Sequence, residues 1–164
     1  MPYALQSMLR IRTMREDRAS ADLAAARQKV HQAEETLEER KMELRQFEAT
    51  KEERRDRIYE AVMGQSITRE ELDKALEGVA RIDEEGVLKA DNVTMAAADL
   101  KEKEQLAEKA REGFVKASKE RMKITEHRAM WLADEAKELE RRQEVELEDF
   151  TGKKNTEKAD DDGD

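Results

Sequence analysis

Gly64-Gln65-Ser66-Ile67-Thr68-Arg69-Glu70-Glu71 spells the end of one helix and the start of another. Glycine takes the left-handed conformation that closes a helix C-terminus at little cost, so Gly64 suits that position. Thr68 and Glu71 fit a capping box, in which the threonine hydroxyl accepts from the N–H three residues on and the glutamate reaches back. The spacing predicts a turn near residues 64–68.

Upstream of this turn, residues 3–63 contain neither Pro nor Gly. From Leu5 the chain steps by alternating fours and threes through Leu9, Arg12, Glu16, Ala19, Leu23, Ala26, Val30, Ala33, Leu37, Arg40, Leu44, Phe47, Lys51, Arg54, Ile58 and Ala61. That alternation is the a/d signature of a coiled coil. It is cleanest between Ala19 and Phe47 and weakens at Arg12, Glu16, Lys51 and Arg54. A helix over about 3–63 would be roughly 90 Å long.

Downstream, a second helix is expected over about 68–150, with Leu72, Leu76, Val79 and Ile82 on its first turns. Gly78 and Gly86 read as local weak points. Val93, Ala97, Leu100, Ala107, Ala110, Phe114, Ala117, Ile124 and Trp131 continue an apolar face whose phase slips between Leu100 and Phe114. The pattern stops at Thr151, and 151–164 reads as a disordered acidic tail.

Composition supports long helices over a globular core. Of 164 residues 45% are charged, 37% hydrophobic and 4% aromatic, which leaves too little bulk to offset the entropy of folding a compact domain. The dominant residues are strong helix formers. The fold class is therefore all-α: a long antiparallel two-helix coiled-coil hairpin spanning 1–150. A reversal near Ser66 pairs positions that sum to about 131. Leu23 then lies near Ala107, Val30 near Leu100, Leu37 near Val93, Leu44 near Leu88 and Ile58 near Leu72. Helix 1 runs out near position 128 of helix 2.

The net charge of −9 argues against nucleic acid and anionic membranes as partners. There is no Cys, and no apolar run reaches the roughly 20 residues of a membrane span. The N-terminus lacks a signal-peptide apolar region, and the chain reads as cytoplasmic. His31 and His127 sit in separate helices at different levels, and the glycines spell no phosphate loop. Ser20, Ser66 and Ser118 have no nucleophile-activating neighbours. No enzyme, metal site or cofactor is expected.

Candidate partner surfaces lie at the ends. Arg10, Arg12, Arg15 and Arg18 recur on one side of helix 1, while residues 134–149 hold eight acidic residues against three basic. Trp131, the only tryptophan, either closes the open end of the hairpin on Leu5, Met8 or Leu9, or anchors another protein there. Near the turn, an exposed Tyr59 lies beside Val62 and Met63. Met8, Met14, Met122 and Met130 cluster at the Trp131 end.

The opening Tyr3-Ala4-Leu5-Gln6-Ser7-Met8-Leu9-Arg10-Ile11-Arg12, with Arg15-Glu16-Asp17-Arg18-Ala19, resembles the start of the type III secretion stalk proteins (YscO/SctO type) and their flagellar relative FliJ. His127-Arg128-Ala129-Met130-Trp131, Glu138 to Glu144 and Glu146 to Phe150 resemble their C-terminal helix. The resemblance implies a hairpin similar to the gamma subunit of rotary ATP synthases. Its terminal end would insert in the hexameric secretion ATPase, with Arg10, Arg12, Arg15, Arg18 and Trp131 as contact candidates. Its turn end would reach the export gate, with Phe47, Ile58, Tyr59, Val62 and Met63 as candidates. Some members bind export chaperones. The implied protein is a non-enzymatic stalk, monomeric by itself, cytoplasmic at the base of the apparatus, and peripheral to the membrane through its partners only. An adaptor for export chaperones or substrates, and a homodimeric coiled-coil scaffold, are the alternatives.

Overall fold

The computed structural model describes residues 3–160. It contains two α-helices, α1 (Gln6–Val62) and α2 (Arg69–Asp160), and no strand among the described residues. They pack as an all-α helical hairpin. Helix α2 continues past residue 150 to Asp160, and residues 161–164 of the expected tail lie outside the described residues.

The turn follows its sequence. The Met63 N–H donates to the Tyr59 carbonyl at 2.8 Å, and Gly64 has φ of 76°, the left-handed closure that a Cβ would strain. The Thr68 N–H donates to Glu71 Oε2 at 2.8 Å, and the Glu71 N–H to Thr68 Oγ1 at 3.3 Å. These are the reciprocal bonds of a capping box. The Thr68 backbone N–H, and then its hydroxyl, hold the Glu71 carboxyl below its ordinary range.

The chain forms two compact units, one of Ala19–Gly113 and one of Met1–Arg18 with Phe114–Asp164. In the first, which carries the turn, Leu23, Ala33, Leu37 and Phe47 of α1 and Val79 and Ile82 of α2 are buried. Every a/d position of α1 from Ala19 to Ile58 is buried or half-buried. On α2 the covered positions include Ala75, Val79, Ile82, Gly86, Lys89, Val93, Ala96, Leu100, Lys103, Ala107 and Ala110, with Gly78, Asp83, Glu85 and Asn92 flanking them. The series from Ala75 to Ala110 keeps an unbroken alternation of threes and fours, so the expected phase slip is absent. Lys89 and Lys103 hold seam positions with their alkyl stems, and snorkelling of that kind hides a seam from a count of apolar residues.

Gly78 and Gly86 are holes in this seam. A Cβ on Gly86 would stand 2.9 Å from a Phe47 ring carbon, and one on Gly78 would stand 3.2 Å from Ile58 Cδ1. Glycine inside a helix costs up to about 1 kcal/mol against Ala, and here it lets two large side chains approach the α2 backbone. With Phe47 over Gly86, the register lies about two residues further along α2 than the expected pairing. Ile58 meets Gly78, six residues beyond the expected Leu72, and Leu72 and Leu88, expected in the seam, are 43% and 61% exposed. Two ion pairs cross between the helices here, Lys51–Asp83 at 2.9 Å and Arg54–Glu85 at 2.8 Å. The Arg54 guanidinium also lies 5.5 Å from the centre of the Phe47 ring.

The second unit buries far less. Its half-buried positions include Leu9, Arg12 and Glu16 on α1 and Phe114, Ala117, Arg121, Ile124, Arg128 and Trp131 on α2. Two of its cross-helix contacts are ion pairs, Arg12–Glu120 and Glu16–Arg121. Among its described residues the one buried side chain is Tyr3, which precedes α1. The Gln6 N–H, donating to the Tyr3 carbonyl at 3.1 Å, folds that segment into a turn.

Candidate functional site

In the unit that carries the termini, three rings meet. The Tyr3 hydroxyl lies 2.8 Å from His127 Nδ1. The Tyr3 ring is tilted 47° against Trp131 with centroids 5.4 Å apart, and its centroid lies 5.8 Å from that of His127. Tilted contacts at such distances suit the ring quadrupoles. Trp131 therefore closes on Tyr3, a partner absent from the expected set of Leu5, Met8 and Leu9; Met8 is 42% exposed. A tyrosine outside the heptads gave no periodic signal. Its place as the aromatic of the opening segment was the available clue.

The four arginines do not act as one face. Arg12 is half-buried and held by Glu120, whereas Arg10, Arg15 and Arg18 are exposed. Leu9, Arg10, Thr13 and Met14 line an open groove on α1. Trp131 remains half-buried beside the exposed Met130 and Leu132. The indole is thus partly covered by Tyr3 and flanked in sequence by two exposed apolar side chains.

In the unit that carries the turn, the five gate candidates separate. Phe47 is buried in the seam and Ile58 half-buried over Gly78. Tyr59, expected to be exposed, is half-buried. Val62 is half-buried, and Met63 is 71% exposed. Leu72 and Leu76 add apolar surface beyond the turn. The charges around this unit are tied: hydrogen bonds from Lys51 and Arg54 hold the Asp83 and Glu85 carboxyls below their ordinary ranges. Asp83, the main cause, raises the Arg55 guanidinium.

Among the described residues no group of three or more His, Asp or Glu side chains could hold a metal ion, and no helix is long and apolar enough to cross a membrane. The surfaces consist of apolar side chains and charges on helix faces, which suits protein contacts.

A family model described as type III secretion protein YscO matches residues 5–153. A solved structure from Chlamydia trachomatis, CT670, described as a YscO homologue, is similar over 99% of both chains with a TM-score of 0.72. Its 21% sequence identity makes that a likeness of fold. No curated protein matches the chain.

Proposed function

This chain belongs to the YscO family of type III secretion proteins, and from that premise we propose that it is the non-enzymatic central stalk of a secretion apparatus. It works in the cytoplasm at the base of the apparatus. The unit bearing the termini seats in the hexameric secretion ATPase, and the turn end contacts the export gate. The observation that carries this reading is the difference between the two ends. The terminal unit presents Arg10, Arg15 and Arg18 beside an apolar groove and a half-covered Trp131. The turn presents Met63, Leu72 and Leu76, at 71%, 43% and 52% exposure, and the charges between them are paired with each other as Arg69–Asp73 and Lys74–Glu70 or, at Glu71, held in the cap. A basic, adaptable surface suits an acidic ring lumen, and a small apolar tip suits a hydrophobic groove.

Paired substitutions test the polarity. Arg10, Arg15 and Arg18 changed together to Glu should abolish co-sedimentation with the ATPase hexamer while leaving gate binding intact. Val62→Ser with Met63→Ser should do the reverse and stop secretion. Loss of ATPase binding in the turn variant, with secretion preserved, would show that the ends are assigned the wrong way round. Retention of both partners by both variants would remove the stalk role.

A further inference from the structure

On the side of α2 away from its seam, the terminal unit carries a second repeat. Starting at Lys119, steps of four and three reach Lys123 and Glu126, and further on Lys137, Glu140 and Glu144. Met130 and Ala133 hold the middle of the same stripe, and all eight residues are exposed. Alternating fours and threes bring one line of side chains round a helix, the arrangement another helix needs to lie along it. The line runs opposite Phe114, Ala117, Arg121 and Ile124, which face α1.

The order of charges along this line reads the same backwards with the signs exchanged. Turned end for end about the point between Met130 and Ala133, Lys119 falls against Glu144, Lys123 against Glu140, and Glu126 against Lys137. None of these six charges makes an ion pair within the described residues. Their neighbours Glu120 and Arg121 are already taken by Arg12 and Glu16.

We infer that this face binds a second copy of the same chain, with α2 antiparallel to α2 about a two-fold axis between Met130 and Ala133. A two-fold contact is reciprocal, so each of the three ion pairs forms twice. At the axis Ala133 is small enough to let the helices approach and Met130, 61% exposed, fills the space between them. Other occupants fit poorly. An acidic helix or an anionic surface would meet Glu126, Glu140 and Glu144, and a basic one would meet the three lysines. A stripe of both signs in reversed order is complementary to itself. Because exposed ion pairs are weak and screened by salt, the association is a low-salt, high-concentration one. The single chain is the dilute or high-salt form.

Sedimentation equilibrium of the full chain tests this without any secretion component, so its outcome is independent of the stalk role. Wild type should dimerise at about 50 mM salt and dissociate at about 500 mM. K119E/K123E and E140K/E144K each set like charges at two of the three paired levels. Each variant alone should self-associate at least about tenfold more weakly than wild type. An equimolar mixture should restore dimers, since Glu at 119 and 123 then faces Lys at 144 and 140. Monomeric wild type at low salt overturns the inference. So do variants that dimerise like wild type, and a mixture that stays monomeric while each variant keeps its helical circular dichroism.

Discussion

In the unit Ala19–Gly113 six side chains are buried, and the aromatic one, Phe47, rests on a glycine. In the unit of the termini the buried side chain is Tyr3, resting on Trp131 and on a hydrogen bond to His127. Both units carry ion pairs across the helices, Lys51–Asp83 with Arg54–Glu85 in one and Arg12–Glu120 with Glu16–Arg121 in the other. The charges are therefore common to both and the apolar burial is not. Charged pairs on partly exposed seams contribute little stability, but they penalise every register that mismatches their signs. Burial of bulky apolar side chains supplies the stability. The turn-bearing unit is built to hold itself together. The terminal unit is left with exposed apolar and charged groups to offer to partners.

The largest test of that contrast is truncation of the two aromatics. Phe47→Ala removes a buried ring from a close-packed contact and should cost about 3 kcal/mol of unfolding free energy. Trp131→Ala, at a half-covered site, should cost about half as much. Urea titrations followed by circular dichroism would measure both, and equal costs would erase the distinction between the units.

Next in size are two alanine substitutions of opposite sign. Gly86→Ala gains about 1 kcal/mol of helix propensity but drives a methyl into the Phe47 ring, an overpacking cost of about 1–3 kcal/mol. The net should be a loss. At Gly113 an added Cβ meets nothing within 4 Å, so Gly113→Ala should stabilise by up to about 1 kcal/mol. A gain in melting temperature for both variants would mean that Phe47 does not need the space over Gly86.

The smallest effect is one of pH. Hydrogen bonds from Lys51 and Arg54 place the folded-state pKa values of Asp83 and Glu85 below their unfolded values. The stability these carboxylates contribute is present above the unfolded values, near about pH 4. It is lost as pH falls through them toward the folded ones. Melting temperature should drop on acidification below about pH 4.5. Asp83→Asn with Glu85→Gln should flatten part of that drop while lowering the neutral-pH value slightly.

Much of this architecture was legible in the residues. Gly64 with Thr68 and Glu71 fixed the turn because left-handed glycine and the capping box are local, and need nothing beyond their own few residues. The α1 stripe was legible because Leu and Phe recur in phase with the polar positions. On α2 the phase was obscured by Lys89 and Lys103, whose polar ends conceal stems that lie along the seam. Toward the turn the pairing departs from the expected one at Phe47 and Ile58, because Gly78 and Gly86 act as holes and that role depends on what lies opposite rather than on helix propensity. At the candidate site, Trp131 was conspicuous by composition, but its partner Tyr3 lies outside any repeat and 128 residues away in sequence. The arginines were grouped by charge, and only the packing against Glu120 separates Arg12 from the rest.

The sequence distances spanned by these contacts set an order of assembly. Arg54 and Glu85 are 31 residues apart, whereas Tyr3 and His127 are 124 apart. Closing short loops is faster and costs less entropy than closing long ones, so the helices are expected to zip from the capped turn outward. During synthesis, every residue of the unit Ala19–Gly113 is available before His127 is made. Tyr3, translated long before its partners, must wait as an unattached aromatic segment until they emerge. The last clasp to close is also the first to open, which places fraying, proteolysis and exchange of the Tyr3 hydroxyl at the same end that carries Trp131.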